Sequence, residues 1–282
     1  MTESDRVVRA MTEDGAFRVI AARATDTVRE VVGRQRAGGD AATRLGELVT
    51  GAVLYRETMA PSRRVQAIVQ GANGSGHLVA DSHPDGWARG LYQPRDADAG
   101  VALGGDGALL QMMRTLPNGT LHVGTVPIAD AGNLSNALMT YMDQSEQVRS
   151  MVSVALTFDD DGAVRSAGGY LLQLLPEAPD APGALAVMAE RVRDFTDIAP
   201  LLDRTDAAPG PLVEELLHRM PFEWLHESPL RFGCHCSRER VVASLRTLDP
   251  AELEAVFAEQ DPVEMRCDYC ATLYHVHRAE FG

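Results

Sequence analysis

Four cysteines carry the clearest chemistry in this sequence. They stand as Cys234-His235-Cys236 and Cys267-Asp268-Tyr269-Cys270, with 30 residues between the pairs and no cysteine before them. Each short pair can present two sulfurs from one tight turn, and two such turns complete a tetrahedral thiolate set for zinc. A metal held this way ties together the ends of a segment of roughly 50 residues, a size at which a hydrophobic core alone is marginal. Four thiolates outweigh the charge of a divalent cation. Arg231, Arg238, Arg240 and Arg266 lie within a few residues of the sulfurs and are expected to offset that excess and favour the deprotonated form. His235, His275 and His277 also neighbour the thiols, but with four cysteines available they are expected to stay outside the ligand set.

Thiolates that bind zinc also oxidise once the metal loosens. Oxidation within each pair would join Cys234 to Cys236 and Cys267 to Cys270. Such short closed loops contribute little chain-entropy stabilisation, and they replace a long-range metal crosslink with nothing long-range. Oxidation is therefore expected to unfold the cysteine segment. Three functions share this chemistry: a redox-switched binding protein, a thiol–disulfide oxidoreductase using Cys267 and Cys270, and a zinc ribbon for nucleic acid. The Cys-x-x-Cys pair lacks the strand-to-helix setting of a thioredoxin-like site, which disfavours the enzyme.

The elements that position these cysteines read as α+β. Residues 1–178 form an N-terminal mixed β-sheet core domain with packed helices. Strands are expected near 17–22, 64–70, 77–82, 86–94, 107–115, 119–125, 151–158 and 163–174, and helices over 25–36, 41–59 and 131–147. Asp159-Asp160-Asp161-Gly162 marks a hairpin turn. The small residues Gly46, Gly51 and Ala52 suit close packing of the second helix against a sheet. Residues 179–230 form a helical linker, entered through a stretch with three prolines at 176–185 and holding helices near 184–204 and 211–220. An apolar set there, including Leu212, Val213, Leu216, Leu217, Trp224 and Leu225, must pack against something in the folded state, and once released it would form an adhesive patch. Residues 231–282 form the small C-terminal zinc-binding domain. Within it Asp249-Pro250-Ala251-Glu252 is a helix start with cap, first-turn proline and capping-box glutamate.

Composition narrows the partners. The 282 residues carry 26 Lys and Arg against 40 Asp and Glu, a net charge of −14. That excess disfavours nucleic acid and anionic membrane, and the cysteine region itself holds 6 Arg against 9 acidic residues over 231–282. No apolar run approaches the roughly 20 residues that span a bilayer. The segment Met1–Glu13 is polar and acidic without a hydrophobic leader, so the cytoplasm is the expected compartment.

The sequence closely resembles the heat-shock protein 33 family of redox-regulated chaperones. The resemblance rests on Arg231-Phe232-Gly233-Cys234-His235-Cys236-Ser237-Arg238-Glu239-Arg240-Val241 and Met265-Arg266-Cys267-Asp268-Tyr269-Cys270. It extends to the first domain through Gly76-His77-Leu78-Val79-Ala80-Asp81, Ala88-Arg89-Gly90, Ser145-Glu146-Gln147 and Ala167-Gly168-Gly169-Tyr170-Leu171-Leu172-Gln173-Leu174-Leu175-Pro176. It departs at Asn133 and Asn136, where the family usually has acids. The resemblance implies an ATP-independent holdase and not an enzyme. Its reduced form would hold one zinc per chain on Cys234, Cys236, Cys267 and Cys270 and be inactive. Oxidation would form the two local disulfides, release zinc and unfold the cysteine domain with the linker. The exposed surface would then bind unfolding client proteins, with a homodimer as the active form.

Overall fold

A strand buried on both faces must be apolar at successive positions, and the segment Phe-Arg-Val-Ile-Ala-Ala-Arg is nearly so. In the computed structural model Phe17, Val19 and Ala21 face one hydrophobic cluster while Ile20 and Ala22 face another, as the period of two requires. The structure describes residues 3–116, 118–128, 133–175 and 181–281, and the chain divides into two units, Met1–Phe232 and Gly233–Gly282.

The first unit contains strands β1 (Arg6–Thr12), β2 (Phe17–Arg23), β3 (Val65–Gln70), β4 (Gly76–His83), β5 (Trp87–Pro94), β6 (Leu109–Thr115), β7 (Leu121–Pro127), β8 (Ser150–Phe158), β9 (Val164–Leu174), β10 (Phe222–Pro229) and β11 (Arg231–Phe232). Its helices are α1 (Thr25–Gln35), α2 (Gly39–Arg56), α3 (Leu134–Gln144), α4 (Ala181–Val192), α5 (Ala199–Thr205) and α6 (Pro209–Leu216). One sheet has the order β10-β1-β2-β9-β8 and the other β11-β5-β4-β3-β6-β7. All pairings in these sheets are antiparallel except β11 with β5. Helices α1 to α3 share one core with facing residues of both sheets, such as Ile20 and Val65. Helices α4 to α6 cover the opposite face of the five-stranded sheet, where Leu202, Leu212, Val213 and Leu216 meet Phe17, Val19, Tyr170 and Leu172.

The small residues of α2 work as expected, though against two kinds of partner. A Cβ on Gly46 would meet Leu156 Cδ2 of β8 at 2.5 Å, and one on Gly51 would meet Leu138 Cδ1 of α3 at 2.5 Å. The Asp159–Gly162 turn closes β8 to β9, with Gly162 at φ +82° and its N–H donating to the Asp159 carbonyl. Asn133 caps α3, its side-chain amide oxygen accepting the Asn136 N–H at 3.0 Å, as an N-cap asparagine does.

Four expectations are corrected. The polar N-terminus forms β1, whose arginines find distant carboxylates: Arg9 pairs with Glu57 and Arg6 with Glu227. The single helix expected over 184–204 is two, α4 and α5, with Pro200 in the first turn of the second. The helical linker ends in a strand, because β10 pairs with β1 from Phe222↔Thr12 to Pro229↔Arg6. In consequence Trp224 and Leu225 are 50% and 46% exposed instead of packed. The helix expected to reach Met59 stops at Arg56. Residues 176–180 of the proline-rich stretch, with Pro117 and 129–132, lie outside the described residues.

One titration follows from the packing of α2. Burial, only partly offset by Arg44, pushes the Glu47 carboxyl from 4.5 up to about 7. The folded chain then holds a proton that the unfolded chain releases. This contribution to stability is intact below about pH 4.5 and is lost as pH rises towards 7. At about 1.36 kcal/mol per unit it amounts to roughly 3 kcal/mol. Glu47→Gln is expected to flatten that part of the stability–pH curve and to stabilise the protein on the alkaline side. Urea midpoints on either side of the window check this, and an unchanged slope would assign the titration elsewhere.

Candidate metal centre

The second unit is small, and its buried apolar core is correspondingly thin. Helices α7 (Arg238–Leu245) and α8 (Pro250–Glu259) and the hairpin of β12 (Val263–Arg266) with β13 (Leu273–Val276) bury Leu245, Phe257, Val263 and Val276. Local signals set the helices. Ser237 accepts the Arg240 N–H at the start of α7. Asp249 and Glu252 form the reciprocal capping box of α8 behind Pro250, as the sequence predicts.

Two loops carry the thiols. Cys234 and Cys236 lie in the irregular segment just before α7, and Cys267 to Cys270 form the turn joining β12 to β13. The Cys-x-x-Cys pair is therefore a hairpin turn and does not open a helix. The four Sγ atoms all lie within 4.8 Å of one another. Two approaches cross from loop to loop, Cys234 to Cys267 at 3.8 Å and Cys236 to Cys270 at 3.1 Å. Zinc–sulfur bonds of about 2.3 Å place tetrahedral sulfurs about 3.8 Å apart. Donor type, count and spacing thus suit one thiophilic ion, and no other group of metal-donor side chains comes together among the described residues.

The sulfurs are not equivalent. Burial, with hydrogen bonds to the neighbouring thiols, pushes Cys236 up to about 12 despite the Tyr274 hydroxyl. Burial opposes ionisation of Cys270 too, but hydrogen bonds from Thr272 and the Cys236 and Cys267 thiols outweigh it and hold Cys270 at about 6.

Sequence reasoning missed the two hydroxyls that touch these sulfurs. Tyr274 donates to Cys236 Sγ at 3.1 Å, and Thr272 Oγ1 lies 3.1 Å from Cys270 Sγ. Thr272 follows Cys270 by two residues, and Tyr274 stands opposite Met265 in the β12–β13 register. Hairpin register, not spacing along the chain, brings the phenol to the sulfur. Hydrogen bonds to ligating atoms fix their orientation, and losing one typically costs about 10–100-fold in metal affinity. Tyr274→Phe is expected to weaken zinc binding by about tenfold with the unit still folded, as read by competition with a chromogenic chelator. Unaltered affinity would make the phenol a bystander.

Among the four arginines near the sulfurs in sequence, Arg238 also has a carboxylate partner, Glu280, at 2.6 Å. His275 and His277 lie on Glu264 and Asp261, each 3.6 Å away, and with His235 they stand outside the thiol group.

An α+β unit joined to a separate unit organised around four convergent thiols defines the class: a two-unit protein with a cysteine centre able to hold a metal ion. The sequence model of the family described as Hsp33 protein matches residues 5–277. The 33 kDa chaperonin of Syntrophotalea carbinolica is 31% identical over 278 residues, 96% of this chain and 95% of that protein. The 33 kDa chaperonin of Geobacillus sp. is 28% identical over 287 residues, 98% of this chain and 96% of the relative. The crystal structure of the Thermotoga maritima 33 kDa chaperonin, a heat shock protein 33 homologue, shares the fold with a TM-score of 0.82 at 24% identity, over 99% of this chain and 96% of that one. The chain belongs to the Hsp33 family, a family of chaperones and not of enzymes. No helix among the described residues is long and apolar enough to cross a membrane.

Proposed function

We propose that this protein is an ATP-independent holdase switched on by oxidation, with one zinc ion on Cys234, Cys236, Cys267 and Cys270 as the catch. The observation that carries the proposal is the convergence of four thiols, within 4.8 Å, from two loops of a unit whose core, among the described residues, is four buried apolar side chains with a half-buried apolar fringe. Such a unit depends on its crosslink. Residues 231–282 act as the switch, 179–230 as the linker and 1–178 as the core. The setting is the cytoplasm, and neither nucleic acid nor membrane is a partner.

Oxidation joins Cys234 to Cys236 and Cys267 to Cys270. Each new S–S bond releases two electrons, so four electrons and four protons reduce two molecules of peroxide to four of water. Cys234, Cys236, Cys267 and Cys270 would then no longer serve as thiolate donors and would lose their hold on the ion. The unit unfolds, and the linker follows. Release of α4 to α6 would uncover both their own apolar faces and the sheet face of Phe17, Val19, Tyr170 and Leu172 beneath them. An apolar cleft of about 340 Å³ lined by Met139, Met151 and Met188 lies at that seam. Flexible methionines suit a surface that must accept many partners. Unfolding proteins bind there, and the active form is a homodimer.

The test is light scattering of a heat-unfolding client enzyme, comparing reduced zinc-loaded protein with protein oxidised by peroxide at elevated temperature. Suppression by the oxidised form alone, reversed by reductant, is expected. Equal suppression in both states would leave zinc a structural role only. Mass mapping of the disulfides adds a second check. The loop-to-loop approaches of 3.8 and 3.1 Å offer the alternative pairs Cys234–Cys267 and Cys236–Cys270. Those pairs would preserve the long-range crosslink and abolish the proposed unfolding.

A further inference from the structure

A cleft of about 360 Å³ opens in the first unit, away from the thiols in sequence and built from five separate segments. Three arginines line it: Arg18 from β2, Arg63 from the loop after α2, and Arg114 from β6. The only carboxylate among its lining residues is Glu146. Both oxygens of that carboxylate are engaged. Oε1 accepts the Tyr55 and Tyr141 hydroxyls at 2.7 and 3.0 Å, and Oε2 pairs with Arg114 Nη2 at 3.1 Å.

Arg18 and Arg63 are held in place by neutral acceptors. Arg18 donates through Nε to Gln173 Oε1 at 3.0 Å and through Nη2 to the Thr58 carbonyl at 3.3 Å. Arg63 donates to the Thr115 carbonyl at 3.0 Å. Neither has a carboxylate partner among the described residues. Arg114 retains a buried Nε without a hydrogen-bond partner. The next cation, Arg9, shares one carboxylate, Glu57, with Arg56. Glu57 therefore relieves nothing in the cleft, and burial followed by repulsion from Arg9 pulls Arg18 below the usual arginine range. Two guanidinium charges thus remain unanswered in one cleft of a chain whose net charge is −14. Partly buried cations without counterions are costly, so the fold holds them ready for an anion.

We propose that this cleft binds a phosphoryl group, with Arg18 and Arg63 as its charge partners and the free Nε of Arg114 as a further donor. Charge and shape choose the ligand. A phosphate or phosphomonoester carries about −1.5 to −2 near neutral pH, matching two unanswered cations, whereas a carboxylate leaves one of them unpaired. Planar guanidinium forks suit phosphoryl oxygens in bidentate fashion. Because the site draws on β2, β6, β9 and the loops after α2 and α3, occupancy would tie these segments together and stabilise the first unit.

Phosphorus NMR and calorimetry of the full reduced chain, titrated with orthophosphate or phenyl phosphate at constant ionic strength, test the proposal. Saturable binding is expected, without competition from acetate. Tighter binding of phenyl phosphate would identify an ester as the natural form, and equal binding would identify the free ion. Arg63→Gln is expected to weaken binding by about tenfold or more, while the exposed Arg204→Gln leaves it unchanged. The proposal is overturned by absence of saturable binding to the wild-type chain, by equal competition from acetate, or by equal loss in both variants. The wild-type titration decides even where an arginine variant fails to fold.

Discussion

Stripping zinc from the reduced protein with a strong chelator, or replacing Cys267 with Ala, is expected to abolish amide protection across Gly233–Gly282 while strands β1 to β9 stay protected. The second unit buries four apolar side chains, Leu245, Phe257, Val263 and Val276. Its helices are well capped, but the capping box of Asp249 and Glu252 contributes only about 0.5–2 kcal/mol. Structural zinc in small peptides contributes apparent binding free energies of about 10–16 kcal/mol near neutral pH. On the proposed zinc site, no other single interaction in the unit approaches that size, so the crosslink would decide whether the segment folds. Hydrogen exchange with mass spectrometry, peptide by peptide, reads the outcome. Cys267→Ala leaves three thiols on the ion and should unfold the unit at ordinary zinc concentrations, with excess zinc rescuing it in part. Protection that survives full chelation would mean the four-residue core suffices, and the switch would need another origin.

The same contrast between local and distant causes separates what the sequence discloses from what it hides. The cysteine spacing, the capping of α8 and the glycine turn between β8 and β9 are short-range patterns, each legible within a few residues. β1 and β10 escaped notice because their evidence is mutual. Arg6 and Arg9 make the N-terminus read as polar until Glu227 and Glu57 arrive from far along the chain. Likewise Phe222-Glu223-Trp224-Leu225 continues a helical-looking apolar stretch until pairing with β1 makes it a strand. Pro200 did announce the break between α4 and α5, but the apolar periodicity on both sides runs through it. The hydroxyls of Thr272 and Tyr274 lie beside the cysteines in sequence, yet only the hairpin turn shows that they reach sulfur. The arginine cleft is least legible of all, since its three cations come from three separate strands and loops.

Arg23→Ala is expected to destabilise the first unit by roughly 3–5 kcal/mol and to give a reduced protein that holds clients without an oxidant. Arg23 is 1% exposed and joins three segments. Its Nη1 meets Asp5 Oδ1 at 2.6 Å, and its Nε donates to the Asp206 carbonyl at 3.0 Å in the loop between α5 and α6. Asp5 in turn caps α1 from a distance, accepting the Asp26 and Thr27 N–H groups at 3.2 and 2.6 Å. One guanidinium therefore fastens the α5–α6 loop to β2 and to the helix start. Its removal leaves a buried carboxylate without its cation and frees the loop beside Leu202, Leu212 and Val213, whose apolar faces cover the sheet.

The pH response separates these two effects. Burial already raises the Asp5 carboxyl above 3.8, and Arg23 is among the groups that restrain the shift. Without Arg23 the carboxyl rises further, so the folded variant binds a proton that the unfolded chain gives up. Its stability is then greatest in acid and falls as pH rises through the raised pKa. Arg23→Ala should recover much of its lost urea midpoint on acidification, and Asp5→Asn in the same chain should remove that recovery. Client suppression in the presence of reductant, measured by light scattering, checks the functional half. A variant that is destabilised yet inactive until oxidised would show that loosening the α5–α6 loop alone does not uncover the client surface. The linker would then have to unfold as a whole, driven from the cysteine unit, before the sheet face beneath it became available.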